Sequence, residues 1–264
     1  MKDVLVSGAC GGMGKAVIKA LLNKGYRVFA LDIKECEACE NLIPIKADIT
    51  SESQIDKAFK TVSEYTDSLY AIMHFAGIYM LDSLVEMKYE DFSRIFEINI
   101  HGAFLINKIF LPLVMGGGKI LITTSELAPL DPLPFTGIYA VTKGALDKYA
   151  YSLRMELQLL GIPVSVLRAG AVDTGMLGVS VEALDRFCAK TTLFSCNAER
   201  FKKIVNRVEA RSITPERLAK KAVKIIEKKR PAFAYKINRN PLLLMLNLLP
   251  KPLQLWIIKL VLHS

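Results

Sequence analysis

Short apolar runs alternate with amphipathic helical patterns along almost the whole chain. The runs are rich in β-branched residues, and each ends at Gly, Pro or polar residues. In chain order they read DVLVSG, YRVFALD, LIPIKAD, YAIMHFAG, GKILITTS, IPVSVLRAG and, as a possible seventh, PAFAY. Continuous apolar strands between helices are typical of parallel sheets that are covered on both faces. The sequence therefore predicts an α/β fold: a doubly wound parallel sheet of six to seven strands with helices on both faces.

The segments between these strands carry helix start and stop signals. The prediction places helices after the first strand up to Gly25, near residues 51–64 behind Thr50 or Ser51, from Tyr89 to Leu113, through Tyr139 and Lys143 to about Leu160, and from the TPE triplet at 214–216. No linker rich in Gly, Ser or Pro divides the 264 residues. We therefore expect a single domain over 1–264.

The charge is unevenly distributed. Residues 200–264 contain 16 Lys or Arg against three Glu, a balance of +13, whereas residues 1–199 have 19 against 23 acidic residues, a balance of −4. A basic segment can meet nucleic acid or an anionic membrane. The segment lacks the interleaved aromatic residues of a single-strand binder, so no nucleic-acid partner is predicted. A solvated helix face explains much of RLAKKAVKIIEKKR.

The cysteines predict neither a metal site nor a disulfide framework. Five is an odd number, and the Cys36-x-x-Cys39 pair has no second pair or nearby His to complete a zinc site. We expect reduced thiols. The first apolar run begins at Val4 and is too short for a signal peptide, which predicts a cytoplasmic protein.

A glycine-rich turn, SGACGGMG, follows the first strand. At Gly8, Gly12 and Gly14 a side chain would keep a pyrophosphate from the amides at the helix N-terminus. Asp32 ends the second strand, where its carboxylate can accept both hydroxyls of an adenosine ribose and repel a 2′-phosphate. The alternative is that Asp32 is a helix-capping acid in the loop. The residue before Gly12 is Gly11 and not a basic residue, so we predict NAD(H) in preference to NADP(H).

The stretch GIYAVTKGALDKYA places a phenol and an ammonium one turn apart on a buried helix. Tyr139 and Lys143 are neighbours at i and i+4. A free phenol, with a pKa near 10, is a poor base at neutral pH. A nearby ammonium stabilises the phenolate, so we expect Lys143 to lower the pKa of Tyr139.

The spacing G-x-x-x-G-x-G, with YAVTK far downstream, resembles the short-chain dehydrogenase/reductase family. The resemblance covers nearly the whole chain and is nearest in character to the hydroxysteroid and retinol dehydrogenase branches. It implies a Rossmann-type domain with a cofactor-binding half at about 1–125 and a catalytic half at about 126–174. A substrate lid at about 175–212 and an apolar C-terminal tail at about 240–264 follow.

The resemblance also implies a set of catalytic residues. Tyr139 is the proton donor and acceptor, and Ser125, the last residue of TTS, holds the substrate oxygen, with Thr124 as the alternative. Lys143 binds the nicotinamide ribose, and Asn99 in INIHG holds a water that relays protons. Read alone, Asn99 is equally well explained as a hydrogen-bonded Asn at a helix kink.

Cofactor contacts are implied at the carboxyl ends of the strands. They are Ser7, Gly8, Gly12, Met13, Gly14, Asp32, Ile33, Asp48, Ile49, Ala76, Gly77, Tyr139, Lys143, Gly170, Val172 and Thr174. The sequence departs from the family pattern at His74, where Asn is usual, at Ala169, where Pro is usual, and at Ala128, where Gly is usual. We expect His74 to be a buried, hydrogen-bonded residue.

The lid and the tail indicate an apolar substrate. The apolar lid residues are Met176, Leu177, Val179, Val181, Leu184, Phe187, Leu193 and Phe194. The tail is strongly apolar, but three Pro and two Lys interrupt it, so it is no clean bilayer span. It can lie on a membrane as a peripheral contact, cover the site, or enter the homodimer or homotetramer interface that the resemblance implies.

These observations predict an oxidoreductase that transfers a hydride between NAD(H) and a lipophilic secondary alcohol or ketone, such as a hydroxysteroid or a retinoid-like alcohol. Two alternatives remain. A 3-oxoacyl-thioester reductase could use the basic face to meet an acidic carrier. A non-catalytic dinucleotide-sensing module would keep the fold, although the complete set of catalytic residues argues against it.

Overall fold

The chain folds around a parallel β-sheet with helices on both faces. The computed structural model describes residues 1–208 and 212–263, and their side chains except at 175–181 and 206–208. Within these residues seven strands lie in the order β3-β2-β1-β4-β5-β6-β7, and every adjacent pair is parallel. They are β1 (Lys2–Ser7), β2 (Tyr26–Asp32), β3 (Leu42–Lys46), β4 (Ala71–His74), β5 (Lys119–Ser125), β6 (Val164–Ala169) and β7 (Ala234–Ile237). The predicted fold class is confirmed.

Helices connect the strands and cover the sheet. They are α1 (Gly12–Leu22), α2 (Glu52–Ser63), α3 (Tyr89–Phe96), α4 (Gly102–Val114), α5 (Gly137–Leu157), α6 (Gly175–Lys190), α7 (Ser195–Val208), α8 (Pro215–Glu227), α9 (Pro241–Leu248) and α10 (Lys251–Leu262). A π-helix (Glu97–His101) joins α3 to α4, and a 3₁₀-helix (Gln158–Leu160) extends α5.

Two apolar layers fix these helices on the sheet. On one face, the completely buried Ile55 of α2 and Phe110 of α4 pack against strand residues such as Leu5. On the other face, Leu21 of α1 and Leu218 of α8 pack against residues such as Val6. Complete burial of side chains of this size contributes about 2 to 3 kcal/mol each. The layers hold the carboxyl ends of β1, β4 and β5 together.

The strand order reverses between β1 and β4. β1 pairs with β2 on one side and with β4 on the other. The loop that follows β1 and the loop that follows β4 therefore diverge from each other. In open parallel sheets, ligands bind in the crevice at this point, outside the carboxyl ends of the strands. The glycine turn after Ser7 and the loop after His74 begin there.

The predicted elements are present with differences of detail. The third predicted strand contains Pro44, which is tolerated because β3 lies at the edge of the sheet, where a missing N–H breaks no ladder. The helix expected from Tyr89 to Leu113 is divided by the π-helix around Asn99. Ser51 occupies the N-cap of α2 but makes no side-chain capping hydrogen bond.

The lid and tail form a small apolar cluster of their own. We name it the lid cluster, and its buried members are Leu81, Ala183, Leu184, Phe187, Ala198, Phe201 and Leu262. Phe135 packs into it, with ring centroids 4.5 Å from Phe187 and 5.4 Å from Phe194. The lid side chains at Met176, Leu177, Val179 and Val181 lie outside the described ones. No helix in the described ranges is both long and apolar enough to cross a bilayer.

Candidate active site

The glycine turn is packed backbone against backbone. Gly8 has φ +73°, and a Cβ built on it would lie 2.4 Å from the backbone nitrogen of Ala76. A Cβ on Gly14 would lie 2.1 Å from the carbonyl oxygen of Gly8. A Cβ at either position would overlap backbone atoms, so glycine is required at both. α1 begins at Gly12, and its N-cap Gly11 has no side chain to satisfy the first amides. These amides suit an anion such as a pyrophosphate.

The loop after β6 closes the other side of this turn. A Cβ on Gly12 would lie 2.7 Å from the Cβ of Thr174. A Cβ on Gly170 would lie 1.8 Å from the carbonyl oxygen of Asn238, and Val172 forms a β-bridge with Ile213. The structure therefore brings together Gly12 and Thr174, two of the residues predicted to contact the cofactor, and it fixes Gly170 against the segment after β7.

Asp32 is held in place by two backbone amides. Its Oδ2 accepts from Cys10 N and its Oδ1 accepts from Lys34 N, each at 2.9 Å. Each oxygen keeps acceptor capacity, since a carboxylate has about four lone-pair sites. Ile33, the next residue in the sequence, is 62% exposed. This arrangement suits a ribose with two free hydroxyls, and it disfavours the reading of Asp32 as a helix cap.

A disulfide corrects the expectation that all the thiols are reduced. Cys10 of the glycine turn is bonded to Cys36 of the loop after Asp32, with Cα atoms 6.1 Å apart. Cys39, Cys188 and Cys196 are free. The sequence pattern shows only the close spacing of Cys36 and Cys39. The Cys10–Cys36 bond has no local signal, because the fold alone places Cys10 beside Cys36. The disulfide ties together the two loops that hold the Asp32 carboxylate.

Other predicted cofactor residues have structural contacts of their own. Asp48 Oδ1 accepts from Thr50 N at 2.9 Å and from its hydroxyl at 2.8 Å. Ile49 is buried, and its side chain fills the space where a Cβ on Gly102 would lie. Ser7 is completely buried, and its hydroxyl has no partner among the described residues. Contact of Ser7 with a ligand would therefore have to come through its neighbours. Met13 is half-buried at the start of α1 and packs on the apolar layer below the turn.

Ser125 and Tyr139 meet at the end of β5. Ser125 is the last residue of β5, and its Oγ accepts from Leu127 N at 3.2 Å. It also hydrogen-bonds the Tyr139 hydroxyl. The alternative, Thr124, points away, because its hydroxyl donates to Asp147 Oδ1 at 3.2 Å. Tyr79, which the sequence analysis missed, packs edge-on against Tyr139 with ring centroids 4.9 Å apart.

The pKa values differ from the expectation. Burial raises the pKa of Tyr139 to about 12, although the hydrogen bond from Ser125 acts to lower it. Burial likewise lowers the pKa of Lys143 to about 8. The Lys143 Nζ lies 5.7 Å from the centroid of the Tyr139 ring. The expected depression of the Tyr139 pKa by Lys143 is therefore wrong for this structure, because desolvation is the largest influence on the pKa of each group.

Asn99 and Lys143 meet at Gly77. A Cβ on Gly77 would lie 3.0 Å from Asn99 Oδ1 and 3.1 Å from Lys143 Nζ. Asn99 also binds both backbone groups of Ile78: its Oδ1 accepts from the amide at 2.8 Å, and its Nδ2 donates to the carbonyl at 3.0 Å. Its Nδ2 lies 3.2 Å from Thr142 Oγ1. Asn99 thus supports the loop after β4 from a π-helix, an element that is frequent at functional sites.

A partly buried ion pair supports α5, the helix that carries Tyr139 and Lys143. Arg168 Nε and Nη2 donate to the two oxygens of Asp147 at 2.9 and 2.6 Å. This bidentate pair joins β6 to α5 two turns after Tyr139. The pair also raises the pKa of Arg168. Nothing in the sequence indicated it, because the two partners are 21 residues apart.

His74 is structural, as predicted. It is buried, and its Nε2 lies 2.9 Å from Asn107 Oδ1. Burial lowers its pKa to about 4, so the ring is neutral at physiological pH. Among the residues described, no group of three or more His, Cys, Asp or Glu is placed to hold a metal ion.

The chemistry of the site follows from these positions. Ser125 and Tyr139 offer two hydroxyls to one oxygen atom, with the Lys143 ammonium behind them. The glycine turn and Asp32 offer amides and a carboxylate for a dinucleotide. The arrangement suits proton transfer to or from an oxygen beside a hydride-transferring cofactor.

Comparison with known proteins agrees with this geometry. A family model described as short chain dehydrogenase matches residues 2–185. The NADPH-dependent 1-acyldihydroxyacetone phosphate reductase of Schizosaccharomyces pombe is 28% identical over 193 residues, which are 69% of this chain and 65% of that protein. Estradiol 17-beta-dehydrogenase 2 of Mus musculus is 31% identical over 209 residues, 70% of this chain and 54% of that protein. The chain thus spans only part of the length of these two relatives.

Solved structures share the fold at low sequence identity. The 3-ketoacyl-(acyl-carrier-protein) reductase of Brucella melitensis, complexed with NADH, has a TM-score of 0.73 at 20% identity and covers 89% of this chain and 96% of its own. A short chain dehydrogenase of Burkholderia cenocepacia in complex with NADP has a TM-score of 0.75 at 20% identity and covers 100% of both chains. Because the family model matches well over half of its residues, this chain belongs to the short chain dehydrogenase family.

Proposed function

We propose that the chain is an NAD(H)-dependent oxidoreductase that interconverts a lipophilic ketone and its secondary alcohol. Family membership supports an oxidoreductase that uses a nicotinamide dinucleotide. The observation that carries the proposal is the meeting of Ser125, Tyr139, Lys143 and Asn99 at the carboxyl ends of β4 and β5, beside the glycine turn. A nicotinamide dinucleotide bound by that turn and by Asp32 supplies or accepts the hydride.

Tyr139 is the acid and base of this mechanism. With a pKa near 12 its hydroxyl keeps its proton throughout the physiological range, so it is ready to donate that proton to a ketone oxygen. The Ser125 hydroxyl has a single proton, which it donates to the same substrate oxygen in place of its hydrogen bond to Tyr139. In the oxidising direction Tyr139 takes the alcohol proton. These two hydroxyls orient the substrate oxygen and stabilise the charge that develops on it.

Lys143 and Asn99 support this proton transfer. The Lys143 ammonium is buried next to the Tyr139 ring, and its pKa near 8 keeps it mostly protonated at neutral pH. Its charge compensates the phenolate that remains after Tyr139 has given up its proton. Asn99 holds the Ile78 backbone and lies beside Lys143 across Gly77, which suits a path for proton return through that loop.

Asp32 supports NAD(H) as the cofactor. Its carboxylate is fixed by two amides where the 2′-position of an adenosine ribose would lie, and a 2′-phosphate there would meet a negative charge. The S. pombe relative is NADPH-dependent by name, and the structural neighbours hold NADH or NADP. The proposed preference for NAD(H) therefore rests on Asp32 alone, and Lys34 is the residue that could offset it.

A lipophilic substrate is supported by the apolar surroundings of the site. Tyr79 packs both on Tyr139 and on the lid cluster, and Phe135 belongs to that cluster as well. Through its edge contact with Tyr139, Tyr79 joins the catalytic phenol to the apolar interior of the lid, which suits a hydrophobic ketone. The mouse relative is named for a steroid substrate. A homodimer or homotetramer stays a prediction, which sedimentation of the purified chain would test.

The test is a turnover screen of the full chain with NADH and NADPH. Keto-steroids, retinal-like carbonyls, long-chain ketones and 3-oxoacyl thioesters are compared by loss of reduced nicotinamide. We expect lipophilic ketones to be reduced, with higher kcat/KM for NADH. Asp32→Ala should narrow that preference by about tenfold, because a full charge is removed next to the 2′-position.

Other results of the screen would contradict the proposal. Turnover of 3-oxoacyl thioesters alone would favour the thioester reductase. Dinucleotide binding without turnover of any carbonyl or alcohol would favour the sensing module. Higher kcat/KM for NADPH in the wild type would overturn the assignment of the cofactor.

A further inference from the structure

The tail, residues 240–263, presents an apolar surface outside the site described so far. One face of α10 packs inward: Gln254 and Leu262 are buried, and Ile258 packs against the lid cluster. These three residues follow one another at i, i+4 and i+8, so they define the inner face of the helix. The opposite face of α10 must then point away from the protein.

Polar contacts fix the tail in this orientation. At its end, Asn197 Nδ2 donates to the carbonyl oxygen of Leu262 at 2.6 Å, and Arg200 donates to that of His263. In its middle, Asp131 N donates to Asn247 Oδ1 at 2.7 Å, and Lys251 forms an ion pair with the same Asp131. The tail is therefore anchored at two points, on α7 and on the loop between Ser125 and Tyr139.

The start of the tail reaches the catalytic strand. The amide of Asn240 donates to Glu126 Oε2 at 2.6 Å, and Glu126 directly follows Ser125. Burial raises the pKa of Glu126, although this hydrogen bond acts to lower it. A partner that binds the outward face of the tail is thereby brought close to the segment that carries the catalytic hydroxyls.

The outward face is apolar on both helices. We name it the outer tail face and define it by six residues, with their exposed fractions: Leu242 (61%), Met245 (64%), Leu248 (84%), Leu253 (41%), Trp256 (59%) and Leu260 (62%). The first three lie at i, i+3 and i+6 of α9, and the last three lie at i, i+3 and i+7 of α10. Both sets follow the period of a single helix face. Exposed apolar surface that follows a helix face in this way is typical of contact with a partner or a membrane.

The charge near this face favours one kind of partner. Residues 239–263 contain three Lys or Arg and no Asp or Glu, and one of the three, Lys251, is paired with Asp131. Arg239 just before α9 and Lys259 on the flank of α10 are exposed. An anionic lipid surface attracts such cations by about 1 kcal/mol for each one near it. A second copy of the chain, packed through the same face about a two-fold axis, would instead bring like charges together.

We infer that the outer tail face docks on an anionic lipid bilayer, with α9 and α10 lying in the plane of the membrane surface. α10 has 12 residues and is about 18 Å long, too short for a hydrocarbon core of about 30 Å. Helices with one apolar face and flanking Lys or Arg bind at the interface instead. Trp256 on this face is a residue type enriched at that depth. The inference stands on the tail alone and does not depend on the substrate.

The single tryptophan of the chain makes the test direct. Trp256 is the only Trp, and it belongs to the outer tail face. The full chain is titrated with vesicles of phosphatidylcholine, with and without added phosphatidylglycerol, and followed by Trp emission and by co-sedimentation. We expect a blue shift and sedimentation with the anionic vesicles, and weakening of both by salt.

Matched variants distinguish binding through the outer tail face from binding through any exposed apolar residue. Leu248→Glu and Leu260→Glu should weaken binding to anionic vesicles by tenfold or more, roughly the effect of placing a charge at an apolar contact. The control is Leu159→Glu, which changes a Leu that is 83% exposed and lies outside the tail, and it should bind as the wild type does. Circular dichroism checks that each variant is folded.

Three results would overturn the inference. The first is an absence of any blue shift or sedimentation with anionic vesicles. The second is equal weakening by Leu159→Glu and the two tail variants. The third is a fall to a smaller oligomer in the tail variants while vesicle binding is kept, because the face would then be a contact between subunits.

Discussion

At the glycine turn, backbone lies against backbone, whereas the lid is attached through side chains. A Cβ on Gly8 would lie 2.4 Å from Ala76 N. In the lid, by contrast, Glu86 Oε2 accepts from the Thr191 hydroxyl at 2.6 Å and Oε1 from the Thr192 amide at 2.8 Å, and Lys190 pairs with Asp82 at 2.7 Å. Backbone contacts leave no room for substitution, but side-chain contacts can be exchanged singly. We therefore expect the glycine turn to tolerate fewer substitutions than the lid.

The largest expected effect comes from breaking the backbone contact. Gly8→Ala adds a methyl group where φ is +73° and where Ala76 lies at 2.4 Å. We expect dinucleotide affinity to fall by about a hundredfold or more, since about 3 kcal/mol of contact and strain falls on the turn itself. Isothermal titration measures it. The control is Gly25→Ala, where φ is +75° but nothing lies within 4 Å. Equal loss in the control would show that φ alone explains the effect.

Like the glycine contacts, the Cys10–Cys36 disulfide holds the cofactor region in place. Cys36→Ser removes a cross-link across 26 residues, which should cost about 3 kcal/mol of unfolding free energy. It should also raise the KM for the dinucleotide, because the Asp32 loops become free to separate. Urea unfolding and initial rates measure the two effects. Cys39→Ser, a change at an exposed free thiol, is the control. Equal stability of the two variants would contradict this role.

The burial of Lys143 predicts a stability that depends on pH. Its folded pKa of about 8 lies below its unfolded value of 10.5, so the folded state releases this proton first as pH rises. Stability should therefore rise between about pH 8 and 10, by on the order of 2 kcal/mol. Tyr139 acts oppositely only above about pH 10, because its folded pKa is raised to about 12.

Replacement of Lys143 tests its contribution to the pH dependence of stability. Lys143→Met should be more stable than the wild type at neutral pH, and its stability should no longer rise between pH 8 and 10. It should also lose turnover, since the phenolate loses its cation. Urea unfolding at two pH values provides the measurement. A wild-type stability that is flat or falling over this range would show that Lys143 is not desolvated as described.

The smallest effect is expected in the lid. Glu86→Gln keeps one acceptor oxygen but loses the charge that binds Thr191, Thr192 and Leu193. We expect the substrate KM to rise a few-fold with the dinucleotide Kd unchanged, because the weakened contact holds the lid and not the glycine turn. Glu90→Gln, at an exposed position on α3, is the control. A parallel change in dinucleotide Kd would show that the two regions are coupled.

The sequence predicts features that depend on neighbouring residues, and it does not predict contacts between distant ones. The strands, the glycine turn and the Tyr139–Lys143 helix follow from local patterns, because apolar period, glycine position and helix spacing are properties of neighbouring residues. The Cys10–Cys36 bond, the Arg168–Asp147 pair and the stacking of Tyr79 on Tyr139 join distant residues that carry no local signal. These required the folded chain.

Burial was also harder to predict than position. The prediction located Tyr139 and Lys143 correctly on one helix but took their interaction to be stronger than desolvation, and the depth of the site reverses that order. Phe135, in the loop before α5, is another residue whose placement the sequence does not predict. It has φ +64° and turns its ring into the lid cluster, a conformation that no propensity predicts for an aromatic residue.

The central claim is that Tyr139 moves the proton in a site whose remaining parts bind the dinucleotide independently. The most direct test is Tyr139→Phe, with single-turnover reduction of a lipophilic ketone and dinucleotide affinity measured on the same sample. Phe keeps the ring contact with Tyr79 and removes only the hydroxyl. We predict that turnover falls by about a hundredfold or more while dinucleotide Kd changes less than about threefold. Turnover near the wild-type rate with unchanged dinucleotide Kd would contradict the account.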